Sequence, residues 1–355
     1  MIGARDRDVL HLLSRGLSNK QIGAALTLTE VTVKGYVSAV LGKLGVAWDG
    51  QTVNGAAKIP NAQRDGFCAV ADILGADEVA APGPQNPLDG KPEVILIDEG
   101  YLLVLNGETG TLRRFQNLNV GPNGGAPNVD DFDGDGFPEV GTAFGARYLM
   151  IDLQDPTLAC PAWPNAFNDA VVGQQGNPAR SPGGACAMDS DCAMGAVCNQ
   201  TTSKCVCLHN GWARITEDDS SSVTGSSVFD FNGDGAAEVV YRDECWLRVY
   251  SGKSGKTLFA APVTSGTDLE LPVVADTDAD GHAEIVVSST GVGPGFCARS
   301  AVELGMKHPG PTSGVHVYMD PRNRWMPSRG IWNQHAYHIT NVNDDGTIPL
   351  REEAN

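Results

Sequence analysis

No run of apolar residues in this sequence is long enough to cross a bilayer as a helix, so no membrane span is expected. The chain opens Met1-Ile2-Gly3-Ala4-Arg5-Asp6, which is not a secretory leader. Nucleophile elbow, phosphate loop, HExxH motif and dinucleotide fingerprint are all missing. A non-catalytic role is therefore expected. Charged residues make up 19% and aromatics 6%, too little of either for a surface of long charged helices or an aromatic-rich core. No CxxC pair occurs among the nine cysteines, which argues against a zinc site.

What is present is glycine and proline, 43 and 21 in 355 residues, the mark of many short strands joined by tight turns. Formal net charge is −18, which repels nucleic acid and anionic membranes and attracts cations. The charge is uneven. Residues 1–46 carry six Lys/Arg against three acids, whereas the remainder carries 19 against 40, a net −21. Five cysteines, Cys186, Cys192, Cys198, Cys205 and Cys207, fall within one short stretch, which signals disulfides and an oxidising compartment.

In the basic segment, Val9, Leu10, Leu12 and Leu13 recur at helical spacing up to Gly16. Ser18 and Gln21 form a capping box for a second helix through Ile22, Ala24, Ala25 and Leu26. Thr29 caps a third, with Val33, Val37, Val40, Leu41 and Leu44 on one face before Gly45. Three short helices with a tight turn predict a helix-turn-helix. Arg5-Asp6-Arg7-Asp8-Val9-Leu10, Gly16-Leu17-Ser18-Asn19-Lys20-Gln21-Ile22, Thr32-Val33-Lys34 and Lys43-Leu44-Gly45-Val46 resemble the LuxR/FixJ-type DNA-binding domain. The resemblance implies that Glu30, Thr32, Lys34 and Ser38 lie at or near DNA and that Lys20 and Lys43 sit by phosphates. Gly35 and Gly42 depart from the polar or basic residues usual there, and no fourth helix follows Val46. Weak DNA binding is the expectation for residues 1–46.

Three loops elsewhere share one pattern: Asp131-Phe132-Asp133-Gly134-Asp135-Gly136-Phe137-Pro138-Glu139, then Asp230 to Glu238, then Asp276 to Glu284. Calcium takes six to eight hard oxygens at roughly 2.3–2.6 Å. Side chains at positions 1, 3 and 5 supply them: Asp131, Asp133 and Asp135; Asp230, Asn232 and Asp234; Asp276, Asp278 and Asp280. The carbonyls of Phe137, Ala236 and His282 at position 7 and the acids Glu139, Glu238 and Glu284 at position 9 complete each set. An EF-hand closes at position 12 on a helix; here the acid runs straight into a strand pattern such as Glu238-Val239-Val240-Tyr241. Asp89-Gly90-Lys91-Pro92-Glu93 is a degenerate fourth copy, with Asp72 a candidate first position and no metal expected.

The closing acids are 46 residues apart from Glu93 to Glu139 and again from Glu238 to Glu284; the 99-residue gap between the pairs holds an insertion of about 53. Strands phase with this period, which predicts a mainly β fold: a β-propeller of about 46 residues per blade, incomplete or of about five to seven blades. The loops and blades resemble the FG-GAP/VCBS family of calcium β-propellers over residues 66–355. That resemblance implies Ca²⁺ as cofactor and a protein or glycan ligand on the propeller face.

The expected organisation is a helix-turn-helix at 1–47, a linker at 48–65 and a propeller at 66–355, interrupted at 160–210 by a disulfide-rich, EGF-like insertion. Five cysteines there are an odd number, so one pairs outside, with Cys160 a candidate. Cys245 and Cys297 are candidates to bridge neighbouring blades, leaving Cys68 a free thiol. His335 and His338 could hold a metal, although strand packing by the Trp325 and Trp332 regions is the favoured reading. Asn341 to Gly346 is a weakened loop without a ninth-position acid. The leading expectation is a calcium-dependent, adhesion-type module, extracellular or on the cell surface. The alternative is a cytoplasmic LuxR-type regulator with the propeller as sensor or scaffold; a third is an accidental joining of two genes.

Overall fold

The computed structural model describes residues 8, 9, 12, 19–29, 31–34, 36, 67–78, 81–98, 100–117, 124–144, 146–153, 184–187, 191, 196–199, 203–207, 211–218, 224–266, 271–291, 295–298, 304–333 and 337–349. The chain divides into two compact units, residues 1–49 with 333–355, and residues 50–332.

In the first unit, helix α1 (Asn19–Leu26) presents Ile22 to a small core with Val9 and Val33, which Leu12, Leu26, Leu28 and Tyr36 flank. The helix ends where Thr27 turns to φ 57° and Leu28 donates its amide to Gly23 O at 2.8 Å, a Schellman-type stop. Thr29 then caps the helical residues 31–34: Thr32 N donates to Thr29 Oγ1 at 3.1 Å. The Ser18 cap and the face from Val37 to Leu44 lie outside the described residues.

The second unit is mainly β. Its first sheet comprises β1 (Phe67–Ala71), β2 (Glu93–Asp98), β3 (Tyr101–Asn106) and β4 (Leu112–Asn117), antiparallel in chain order. The second comprises β5 (Asn128–Asp130), β6 (Glu139–Ala143) and β7 (Arg147–Ile151). Its fourth member, β10 (Trp212–Ile215), arrives only after the two-stranded excursion of β8 (Ala196–Asn199) and β9 (Lys204–Cys207). The cysteine-rich insertion thus separates the third and fourth strands of one sheet. A third sheet follows as β11 (Ser226–Phe229), β12 (Glu238–Arg242), β13 (Trp246–Tyr250) and β14 (Thr257–Pro262). The fourth has β15 (Val273–Ala275), β16 (Glu284–Thr290) and β17 (Ser313–Tyr318).

First strands lie side by side in succession: β1 by β5, β5 by β11, β11 by β15. The central strands read as nearly unbroken apolar runs because both faces are covered. Ile95, Ile97, Leu102 and Val104 of the first sheet pack on Val140, Leu149 and Ile151 of the second. The second sheet's other face sets Phe132 and Tyr148 against Val239, Tyr241 and Tyr250. Val240, Leu247 and Val249 meet Ile285 and Val287 at the third junction.

The roughly five periods expected from length emerge as four sheets among the described residues. Two segments absorb the difference. Residues 291–312 make a long β16–β17 connection containing a short 3-10 turn, Gly295–Ala298. Residues 319–332 carry no strand, contrary to the packing strands expected there; Trp325 and Trp332 instead pack on the third junction. Cys245, in the β12–β13 turn, is bonded to Cys297 in that long connection, joining the third and fourth sheets. Cys68 is a free, exposed thiol. Cys186 is disulfide-bonded, and Cys198 and Cys205 are opposed in the β8–β9 register. Cys192 and Cys160 lie outside the described residues. No helix among the described residues is long and apolar enough to cross a membrane.

Candidate metal centre

Each Asp/Gly loop is tied by the same few bonds. The closing glutamate is the first residue of a central strand and reaches back to the amide of position 2. Glu139 Oε2 accepts from Phe132 N at 2.7 Å, Glu238 Oε2 from Phe231 N at 2.9 Å and Glu284 Oε2 from Thr277 N at 2.7 Å. Position 1 accepts the amide of the sixth-position glycine: Gly136 to Asp131 Oδ2 at 2.8 Å, Gly235 to Asp230 Oδ2 at 2.9 Å, Gly281 to Asp276 Oδ2 at 3.0 Å. Those glycines sit at φ 91°, 82° and 90°, where a side chain would be strained. Phe137, Ala236 and His282 each donate an amide to the fifth-position carboxylate at 2.9–3.0 Å. Each loop runs into a strand, not a helix.

Differences between the loops lie in what faces that space. In the first, one oxygen each of Asp131, Asp133, Asp135 and Glu139 lies within 4.8 Å of all the others. Glu139 is fully buried, and its Oε1 has no hydrogen-bond partner. Burial pushes its carboxyl up to about 9, and the charges of Asp133, Asp152 and Asp131 add to the shift. Asp133 is raised by burial and by Asp135 and Asp131. A buried carboxylate oxygen facing three other acids is costly without a cation.

The third loop brings Asp276, Asp278 and Glu284 within the same 4.8 Å, and Asp276 Oδ1 is buried without a hydrogen-bond partner. Asp280 stands outside this cluster, and Asn323 Nδ2 donates to its Oδ2. Ala279, at the fourth position, adopts φ 62° where the other two loops have Gly134 and Gly233. Residues 319–332 run along this loop: Asp276 N donates to Arg329 O at 3.0 Å, and His282 Nδ1 lies 2.7 Å from Trp325 O.

The second loop carries its own cation. Lys253 Nζ lies 3.0 Å from Asp234 Oδ2, and that hydrogen bond holds the Asp234 carboxyl below its ordinary range. Asn232 Nδ2 donates to Glu238 Oε1 at 3.1 Å. Glu238 is still raised by burial, to about 6. The donor set of Asp230, Asn232, Asp234 and Glu238 is thus partly satisfied from within the protein.

A fourth loop is built to the same plan. Gly90 N donates to Asp72 Oδ2 at 2.7 Å, Lys91 N to Asp89 Oδ1 at 2.9 Å, and Glu93 Oε2 accepts from both Ile73 and Leu74 at 3.0 Å. Position 3 is Leu74, which offers no side-chain oxygen, and residues 75–88 intervene before Asp89 at position 5. Asp72 therefore does hold position 1.

Lys253 and Asn323 were missed by pattern reading. Lys253 stands where the equivalent turn of the first sheet has Glu108, and that reversal of charge is the signal that marks it. Asn323 lies 43 residues from its partner and leaves no local signal. The weakened loop at 341–346 is an ordinary turn, with Gly346 N on Asn343 O at 2.9 Å. His338 Nδ1 pairs with Thr340 Oγ1 at 3.3 Å, while His335 lies outside the described residues.

In the first unit, Lys20, Thr32 and Lys34 are exposed, opposite the core of Ile22 and Val33. Glu30, Ser38 and Lys43 lie outside the described residues.

Comparison with known proteins divides along the same line. Residues 2–54 match the family described as "Bacterial regulatory proteins, luxR family", and residues 230–287 match the FG-GAP-like repeat. The DNA-binding transcriptional activator DevR/DosR of Mycobacterium tuberculosis is 55% identical over 42 residues, 12% of this chain and 19% of that protein. The nitrate/nitrite response regulator NarP of Escherichia coli is 52% identical over 42 residues, 12% of this chain and 20% of that protein. The chain thus spans about a fifth of the length of these relatives. Among solved structures, the V. cholerae biofilm matrix protein Bap1 aligns over 81% of this chain and 74% of its own, at 16% identity and a TM-score of 0.38. A europium-containing methanol dehydrogenase aligns over 67% and 57%, at 12% identity and a TM-score of 0.24.

Proposed function

We propose that residues 66–355 form a β-propeller loaded with calcium and act, without catalysis, as an adhesion-type module for a protein or glycan partner at the cell surface or outside the cell. The observation that carries the calcium part is Glu139, buried, with one oxygen unsatisfied and three aspartates around it. All-oxygen donors at this spacing suit a hard cation of flexible coordination, which favours calcium over magnesium. Supporting the propeller are the four successive antiparallel sheets, their neighbouring first strands and the FG-GAP-like repeat at 230–287. In this reading each sheet is a blade, and calcium stiffens the loop between its first two strands. The Cys245–Cys297 bridge favours an oxidising location.

The test is a binding screen of the full chain against glycan arrays and extracellular matrix proteins, in calcium and in EDTA. Binding present in calcium and lost in EDTA is expected; binding indifferent to EDTA would overturn the calcium-dependent role.

A second reading is favoured by the luxR-family match at residues 2–54: the chain binds DNA through its first unit. Lys20 and Lys34 would then meet phosphates. A mobility-shift series at increasing salt, with Lys34→Ala alongside, decides it. The salt slope falls by about one for each phosphate contact removed, whereas an unchanged slope removes Lys34 from the interface.

A further inference from the structure

Ala237 and Ala283 stand at position 8 of the second and third Asp/Gly loops, where the first and fourth loops have Pro138 and Pro92. An alanine there keeps an amide to donate, and the two loops use it differently. Ala237 N donates straight to the neighbouring loop, to Asp131 O at 2.9 Å. Beside that bond Ala236 lies over Gly134, its Cβ 3.4 Å from where a Cβ on the glycine would stand. Ala283 N instead donates to Met326 O at 3.3 Å, and Met326 N donates on to Phe231 O of the second loop at 3.0 Å. Met326 Sδ lies over Gly233, 2.9 Å from where a Cβ would stand, as Ala236 lies over Gly134. Met326 thus sits between the second and third loops at the place where the first and second touch directly.

Residues 319–332 form the strap that holds it there. They carry no strand, so individual bonds and two rings fix them rather than a sheet ladder. Most of those bonds go to the third loop, at its positions 1, 5, 7 and 8. Asp276 N donates to Arg329 O at 3.0 Å, Asn323 Nδ2 donates to Asp280 Oδ2, and His282 Nδ1 lies 2.7 Å from Trp325 O. On the other side the Trp325 ring packs on Phe231 of the second loop, with centroids 4.7 Å apart.

Resting on the calcium reading above, we infer that residues 319–332 are a calcium-dependent strap. An ion in the third loop fixes the strap between the two loops, and the strap holds the third loop in its ion-binding shape. Asp276 joins the two events: its carboxylate belongs to the acid cluster with Asp278 and Glu284, and its amide donates to the strap. Carboxylates gathered within 4.8 Å repel one another when no cation is bound. Repulsion that loosens the loop loosens the backbone on which the strap's bonds are made. An ion removes it, and order shared by two partners is coupled in both directions. The second loop depends less on metal, since Lys253 already stands against its Asp234.

The test is amide hydrogen exchange of the full chain with and without calcium, read at Met326, Ala283 and Asp276, beside calorimetric calcium titration of the same samples. Calcium should slow exchange at all three amides by about tenfold, within the usual range of coupling between sites. This comparison needs no variant. Asp276→Asn should bind one ion fewer and lose that protection. Ala283→Pro deletes the amide bonded to Met326 O and installs the residue that the first and fourth loops already carry at this position. Because coupling is reciprocal, its third-loop affinity for calcium should fall by about the same tenfold. Strap amides indifferent to calcium in a wild type that binds it would overturn the strap and leave the calcium loops standing. So would protection or ion count unchanged in Asp276→Asn, or calcium affinity unchanged in Ala283→Pro. A wild type that binds no calcium would overturn both ideas.

Discussion

Lys253 Nζ lies 3.0 Å from Asp234 Oδ2, so the second Asp/Gly loop already holds a positive charge against its fifth-position carboxylate. The ammonium competes with a metal for the same oxygen. Both groups are exposed, so the competition is modest. Lys253→Ala should raise the calcium affinity of this loop by about fivefold at most, the range of an exposed ion pair. Calcium titration of the variant against the wild type reads it; a lower affinity in the variant would show that Lys253 supports the loop.

Glu139→Gln keeps an acceptor for the Phe132 amide while removing an ionisable group that the metal-free fold must keep protonated at pH 8. In EDTA at pH 8 the variant should be more stable than the wild type by roughly 1–3 kcal/mol, the cost of an unsatisfied buried polar group. In calcium the order should reverse. Denaturant unfolding under both conditions checks it, and a variant less stable in EDTA would contradict the picture of a strained carboxyl.

Asp243, fully buried, accepts amides from Cys245 at 2.8 Å, Trp246 at 2.6 Å and Glu217 at 2.8 Å, and pairs with Arg248. Removing it leaves the buried Arg248 guanidinium with Glu217 alone. Asp243→Ala should cost about 3–5 kcal/mol, as when one partner of a buried pair is lost. A loss below about 1 kcal/mol in denaturant unfolding would place this cluster in solvent.

Stability without metal should depend on pH in a definite sense. Burial raises Glu139 to about 9 and Glu238 to about 6, against an ordinary 4.5, and also raises Glu93, Asp72, Asp130 and Asp133. Between about 4.5 and 9 the folded state holds protons that the unfolded state has released, so stability falls as pH rises through this window. Asp234, lowered by Lys253, acts in the opposite sense, but only below its ordinary 3.8. In EDTA the melting temperature should decline from pH 5 to pH 9, and the gain from calcium should grow, since protons compete for the same oxygens. A melting temperature rising over that range in EDTA would refute this.

Much of the loop geometry was legible because its hydrogen bonds are local: positions 1, 2, 5, 6, 7 and 9 from Asp131, Asp230 and Asp276 all lie within one loop. The strand starts at Glu93, Glu139, Glu238 and Glu284 followed from the same phase. Asp72 was placed only as a candidate, because 18 residues separate it from Gly90 and spacing carries no signal across an insertion. The course of residues 319–332 was not legible: Trp325 announces burial, yet nothing local says that its ring lies on Phe231 or that the Met326 backbone bonds to Phe231 and Ala283. Among the described residues there are four sheets of three or four strands, and length alone could not distinguish a fifth from a long connection and a returning segment.

The most direct measurement is calorimetric titration of calcium into the EDTA-stripped full chain, paired with Glu139→Gln. The wild type should bind at least two ions, at residues 131–139 and 276–284, and the variant one fewer. Absence of binding up to about 1 mM calcium, the weak end for extracellular sites, would contradict the account.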